Sequence, residues 1–187
     1  DLAYKLLLNE EYPGWLHEIL LGATTVWERW NSLDEDGHIS STGMNSLNHY
    51  SYGSVVEWIY CYVLGFRVDE ADPGAKHLCI APSYNWDLKE AAGNFDSAAG
   101  DYKVAWKVID PTHVSLSVQV PFDASADIVL ADAVEDTYAD KENPLFADVC
   151  DGVCHVGSGS YEIRYQVKTA LKKSYSTYST VRELKSN

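Results

Sequence analysis

Apolar residues recur at two different spacings along this chain. Near the start they fall at helical intervals, with Leu2, Ala3, Leu6 and Leu7 grouped as one face. Tyr12-Pro-Gly14 then supplies the turn chemistry that ends this helix. A further helix is predicted from about Gly53 to Phe66. Its start, Ser54-Val-Val-Glu57, has the spacing of a capping box, in which hydroxyl and carboxylate satisfy amides left unpaired by the first turn. Beyond that cap the helix is apolar nearly all round: Val55, Val56, Trp58, Ile59, Cys61, Val63 and Leu64. A helix without a polar face is normally buried on every side. So few helices can hardly bury it, so the remainder of a parent protein or a partner chain is expected to surround it.

The spacing changes at Asp69-Glu-Ala-Asp-Pro-Gly74, an acidic, turn-rich linker. After it the period drops to two, and strands are predicted at His77–Ala81, Lys89–Asp96, Asp101–Ile109, His113–Val120, Ala126–Ala131 and Ser160–Val167. Val114-Ser-Leu-Ser-Val-Gln-Val120 shows the clearest alternation, and Asp110-Pro-Thr112 reads as the turn before it. Short strands at regular spacing point to an antiparallel β-sandwich. Residues 132–154 are acidic and weakly patterned, and read as a long loop. Residues 169–187 read as a basic tail rich in Ser and Tyr, with room for one short helix around Val181–Leu184. The expected organisation is α+β: helices over 1–68, a sandwich over 69–168, then the tail. There is no internal repeat.

Composition narrows the functional classes. Apolar residues make up 46% of the 187-residue chain, ample for a core, and the formal charge of −14 argues against nucleic acid or an anionic membrane surface as partner. No apolar run reaches the ~20 residues of a membrane-spanning helix. The chain opens inside an expected helix without an initiator methionine, which reads as an internal piece of a longer protein and leaves a leader sequence untested. Cys150-Asp-Gly-Val-Cys154 has one residue too many between its cysteines for haem attachment and lacks the second ligand pair of a zinc site. With Cys61 and Cys79 these read as reduced thiols of a cytoplasmic protein, with a local Cys150–Cys154 disulfide as the alternative. Asp34-Glu-Asp-Gly37 lacks the spacing of a calcium loop and reads as a solvated loop. No cofactor or metal is expected.

Chemistry concentrates in Gly22-Ala-Thr-Thr-Val-Trp-Glu-Arg-Trp30 and Asn48-His-Tyr-Ser-Tyr-Gly53. Aromatic faces beside carboxylates are a common way to grip sugar rings. These two stretches resemble the motif pair near the end of the catalytic barrel in bacterial α-L-rhamnosidases of glycoside hydrolase family 78. The resemblance continues through the apolar helix into Lys76-His-Leu-Cys-Ile-Ala-Pro82. It implies the end of an (α/α)6 barrel followed by a C-terminal β-sandwich, and hydrolysis of rhamnose-containing glycosides with inversion.

Inverting hydrolysis needs two carboxyl groups roughly 6.5–9.5 Å apart, one protonating the leaving oxygen and one activating water. The resemblance makes Glu28 the general base. Its neighbours Trp27 and Trp30 can shield it from water, which strengthens a carboxylate as a base. A second reading stays open, because Thr25-Val-Trp-Glu28 is itself a capping-box pattern. His49 is implied as a donor to a sugar hydroxyl, against the alternative of a structural histidine. Trp27 and Trp30 would stack on the sugar or wall its site, Asn48 is a weaker contact, and Trp58 belongs with the core. By the same resemblance the general acid lies upstream of Trp-Glu-Arg-Trp, so the chain alone is expected to be inactive. Two other classes stay open: a sugar-binding or structural sandwich without chemistry, and a homo-oligomer or domain swap through the exposed helices.

Overall fold

The computed structural model describes residues 2–34, 36–41, 43–137 and 149–172. The expected terminal helix around Val181–Leu184 and much of the acidic stretch lie outside these residues. Two six-residue helices open the chain, α1 (Leu2–Leu7) and α2 (Trp15–Leu20). The described residues of 21–50 hold no helix; they are turns and extended loops with an isolated bridge between Leu33 and Ile39. The predicted helix over Gly53–Phe66 is a composite: a 3-10 turn at Ser51–Ser54, one α-helical turn α3 (Val55–Trp58), and a π turn over Ile59–Val63. Its sequence explains the unevenness, since β-branched and aromatic residues lose side-chain freedom in a regular helix. The expected capping box does not form. Ser54 sits at φ −57°, ψ −19°, already helical because the 3-10 turn precedes it, and its side chain caps nothing. A capping residue needs extended backbone.

Eight strands follow: β1 (Phe66–Arg67), β2 (His77–Ile80), β3 (Glu90–Ser97), β4 (Gly100–Asp110), β5 (His113–Val120), β6 (Ser125–Val129), β7 (Val153–Val156) and β8 (Gly159–Gln166). They form two sheets, ordered β1-β2-β6-β7 and β3-β4-β5-β8. All neighbours are antiparallel except β2 and β6, which run parallel with His77 beside Ser125. The exception follows from the path. Three antiparallel strands of the opposite sheet intervene, so the chain returns in the direction it left. Two strands were not legible as such: β1, with only two residues, and β7, which begins at the end of the stretch expected to be a loop.

Period-2 alternation sends one face of each sheet inward. Tyr102, Val104 and Trp106 of β4, Leu116 and Val118 of β5, and Ile163 and Tyr165 of β8 meet Leu78, Ile80, Ala126, Ile128 and Cys154 from the other sheet in one core. Several contacts join the helical part to it. Trp106 Nε1 donates to the Val63 carbonyl at 2.7 Å, the Tyr4 hydroxyl donates to the Ser83 carbonyl, and Tyr4 packs edge-on against Trp58, which is half-buried against the core as expected. Gly65 makes the switch from helix to strand. Its φ is +85°, and a Cβ there would lie 2.3 Å from the Pro82 nitrogen, so glycine alone fits.

All four cysteines are free thiols, so the alternative Cys150–Cys154 bridge is absent. Cys154 lies in the core, where burial pushes its thiol up to about 11. No helix among the described residues is long and apolar enough to cross a membrane.

Candidate active site around Glu28

Two loops, 24–32 and 44–52, are stitched together by main-chain bonds although neither is a regular strand. Glu28 N–H donates to the Ser46 carbonyl at 2.9 Å, and His49 N–H donates to the Val26 carbonyl at 2.8 Å. The Thr25 hydroxyl donates to the Leu47 carbonyl, and Asn45 Nδ2 donates to the Ser32 carbonyl at 3.0 Å. The two sequence motifs are thus neighbours in space. No helix starts at Thr25, so the alternative in which Glu28 merely caps one is removed.

Glu28 is half-buried, and no hydrogen bond or ion pair among the described residues engages its carboxylate. Arg29 is half-buried beside it and is engaged elsewhere. The two tryptophans differ. Trp27 is 2% exposed, so its ring backs the loop rather than offering a face to a ligand. Trp30 is half-buried, stacked on Tyr52 with centroids 4.1 Å apart and met edge-on by Trp15 at 5.0 Å. Trp15 Nε1 donates to the Tyr52 carbonyl at 3.1 Å and locks this aromatic group across both loops.

His49 stacks on Tyr50 at 5.0 Å, and its Nδ1 accepts from Ser51 N–H at 3.2 Å. A ring nitrogen that accepts an amide proton leaves the neutral imidazole's own proton on Nε2. Nε2 has no partner among the described residues and is available as a donor. Asn48 is exposed, and its backbone N–H is held by the Ser46 hydroxyl at 3.1 Å.

Sequence reasoning missed Glu18. It lies on α2 and is 3% exposed. Burial raises its pKa, opposed by the nearby Trp27 backbone and by the adjacent His17. Its Oε1 has no partner. A lone glutamate on a short helix carries no signal of burial in sequence. Asp34, Asp36 and His38 bring potential ligand atoms within 4.8 Å of one another, but all three are exposed and Asp34 Oδ1 accepts the backbone N–H of Asp36 and His38 at 3.1 and 2.8 Å. These bonds hold the expected solvated loop as a turn.

A second polar cluster sits on the outer face of the β1-β2-β6-β7 sheet. Ser125 Oγ lies 2.8 Å from His77 Nδ1, and Asp127 bridges His77 Nε2 at 3.3 Å and His155 Nδ1 at 2.5 Å. It borders an open cleft lined by Asp72, Lys76, His77, Asp123 and Ser125.

Residues 1–63 match the family model of the bacterial alpha-L-rhamnosidase 6 hairpin glycosidase domain, and residues 65–144 that of the bacterial alpha-L-rhamnosidase C-terminal domain. The chain therefore belongs to the bacterial α-L-rhamnosidase family and corresponds to a C-terminal part of it. It is 43% identical to an alpha-L-rhamnosidase of Alteromonas sp. (strain LOR) over 129 residues, 69% of this chain and 14% of that protein. It is 35% identical to an alpha-L-rhamnosidase of Streptomyces avermitilis over 167 residues, 86% of this chain and 15% of that protein. Among solved structures, the Streptomyces avermitilis alpha-L-rhamnosidase complexed with L-rhamnose superposes with a TM-score of 0.71 at 32% identity, over 90% of this chain and 16% of that one. The alpha-L-rhamnosidase from Dictyoglumus thermophilum superposes with a TM-score of 0.69 at 31% identity, over 87% of this chain and 18% of that one.

Proposed function

We propose that this chain supplies the general base and the C-terminal sandwich of a bacterial, cytoplasmic enzyme that hydrolyses terminal α-L-rhamnosides with inversion. Residues 1–68 are the barrel part, except that β1 at its end pairs into the sheet, and 69–168 are the rest of the sandwich. The observation that carries the reading is Glu28: a half-buried carboxylate with no partner among the described residues, on a loop held by main-chain bonds. The loop's position is fixed while the side chain stays free, which is what a base needs before substrate arrives. His49 Nε2–H donates to a sugar hydroxyl, Trp30 walls the site, Trp27 supports the loop from behind rather than meeting the sugar, and Asn48 is a lesser contact.

The base needs an acid partner across the scissile bond, roughly 6.5–9.5 Å away. Glu18 does not serve, because a 3% exposed carboxyl cannot reach a leaving group. The partner comes from the barrel segment that precedes this stretch in the relatives, so the 187-residue chain alone does not turn over an aryl rhamnoside. Extending it by that upstream segment produces turnover. Activity of the chain alone would refute the reading.

The alternative, a sandwich that binds sugar without chemistry, has one observation in its favour, the cleft beside His77 and Ser125. Titrating rhamnose into the chain separates the two. On the leading reading, Ser125→Ala and His77→Ala leave any weak affinity unchanged. In that reading barrel helices also cover the exposed apolar residues, so light scattering of a stable dimer built on Leu2 and Leu6 would favour a swapped oligomer instead.

A further inference from the structure

The imidazole of His49 is held from three sides. Its backbone N–H donates to the Val26 carbonyl at 2.8 Å. Its ring lies on that of Tyr50, with centroids 5.0 Å apart and an interplanar angle of 12°. Its Nδ1 meets two groups of one residue, the Ser51 amide at 3.2 Å and the Ser51 hydroxyl oxygen at 2.9 Å. Ser51 opens the 3-10 turn Ser51–Ser54, so its N–H has no acceptor within that turn and is spare for the ring. The next residue is anchored too: the Tyr52 carbonyl accepts from Trp15 Nε1 at 3.1 Å, and the Tyr52 ring stacks on Trp30. Ser51 therefore stands on fixed backbone.

An amide N–H can only donate, so Nδ1 carries no proton and the Ser51 hydroxyl donates to it as well. The five-membered ring is rigid, and fixing Nδ1 fixes the direction of Nε2–H. Turning the ring over about Cβ–Cγ would set Cδ2, which accepts nothing, against both donors and would break both bonds. We infer that Ser51 is a positioning residue for the sugar contact: its amide and hydroxyl hold His49 in the Nε2–H tautomer and aim that donor at a sugar hydroxyl. This rests on the reading of His49 given above.

Two experiments test it. In the 187-residue chain at about pH 8, above the ordinary histidine range, long-range ¹H–¹⁵N spectra show His49 with a bare Nδ1 and a protonated Nε2. The signals are assigned by their loss in His49→Ala. Ser51→Ala shifts the Nδ1 resonance, and Ser51→Thr, which keeps the hydroxyl, leaves it near its original place. A proton on Nδ1, or an Nδ1 resonance indifferent to Ser51→Ala, overturns the inference. In a rhamnosidase-active protein containing this chain, Ser51→Ala lowers kcat/KM about 3–10-fold, and Ser51→Thr recovers most of the loss. In a His49→Ala background Ser51→Ala costs nothing further, because the group it positions is gone. Additive losses would show that Ser51 acts on the fold and not through His49. If His49→Ala itself spares kcat/KM, the sugar-contact reading fails and the positioning role falls with it. If His49→Ala lowers kcat/KM while Ser51→Ala keeps the full value, the contact reading stands and the positioning role is refuted.

Discussion

In the sandwich, residues such as Val104, Leu116, Ile128 and Ile163 turn inward and are nearly inaccessible, whereas Leu2, Leu6, Ile19, Leu20 and Met44 of the helical part lie at the surface. Among the buried apolar residues of 2–63 are Tyr4, Trp27 and Val63, and two of these are held where the helical part meets the sheets. The sandwich closes its own core. The helical part carries the chemical motif yet closes none, and its order depends on the sheets beneath it and on bonds between its own loops. Polar groups without a partner among the described residues, the Glu28 carboxylate and His49 Nε2, are found in this second region. Rigidity and chemistry are thus supplied by different stretches of sequence.

The sharpest way to break this contrast is at the joint. Trp106→Ala removes a buried indole from β4 together with its bond to the Val63 carbonyl, and should cost about 3–5 kcal/mol in chemical denaturation. Equal melting of the two proteins would show that the helical part does not lean on the sheets as described. Next comes a matched pair. Leu116→Ala, at the centre of β5, should cost about 2–5 kcal/mol, whereas Leu6→Ala on the exposed face of α1 should stay within about 0.5 kcal/mol. A large cost for Leu6→Ala would mean that α1 is covered in solution.

A smaller effect concerns acid. The N–H of Thr112, then His113, hold the Asp110 carboxyl down from its ordinary 3.8 to about 2 in the β4–β5 turn. A carboxyl depressed on folding contributes stability that is present above pH ~3.8 and lost as pH falls through about 2. The melting temperature should therefore drop across that window by less in Asp110→Asn than in the unsubstituted chain. The smallest effect is chemical. At pH ~8 an alkylating reagent should label exposed Cys150 and leave Cys154 unlabelled, because burial holds the latter's thiol near 11. Labelling of both at equal rates would mean that the sandwich opens at β7.

The same contrast governs how much could be read from sequence. The β5 strand was legible to the residue, because alternation with one face buried is a strong signal over eight positions. β7 was not, since Val153-Cys-His-Val156 is short and follows an acidic, poorly patterned run. The helix over Gly53–Phe66 was legible as apolar but not as a 3-10, α and π composite, because propensity does not report where a helix loosens. Around the site, the meeting of the two motifs followed from their likeness to the family. Their joining through Glu28 N–H and His49 N–H did not, because loop-to-loop main-chain bonds leave no periodic trace. Glu18 stayed hidden for a related reason, its burial being decided by tertiary packing and not by the pattern of its own short helix.

Turnover of an aryl α-L-rhamnoside by a protein that joins the upstream barrel to this chain, measured with and without Glu28→Gln, tests the central claim most directly. The substitution keeps size and removes basicity. Activity falling by about 10²–10⁴-fold with KM little changed is the result expected of a positioned base. Turnover undiminished by Glu28→Gln would contradict it.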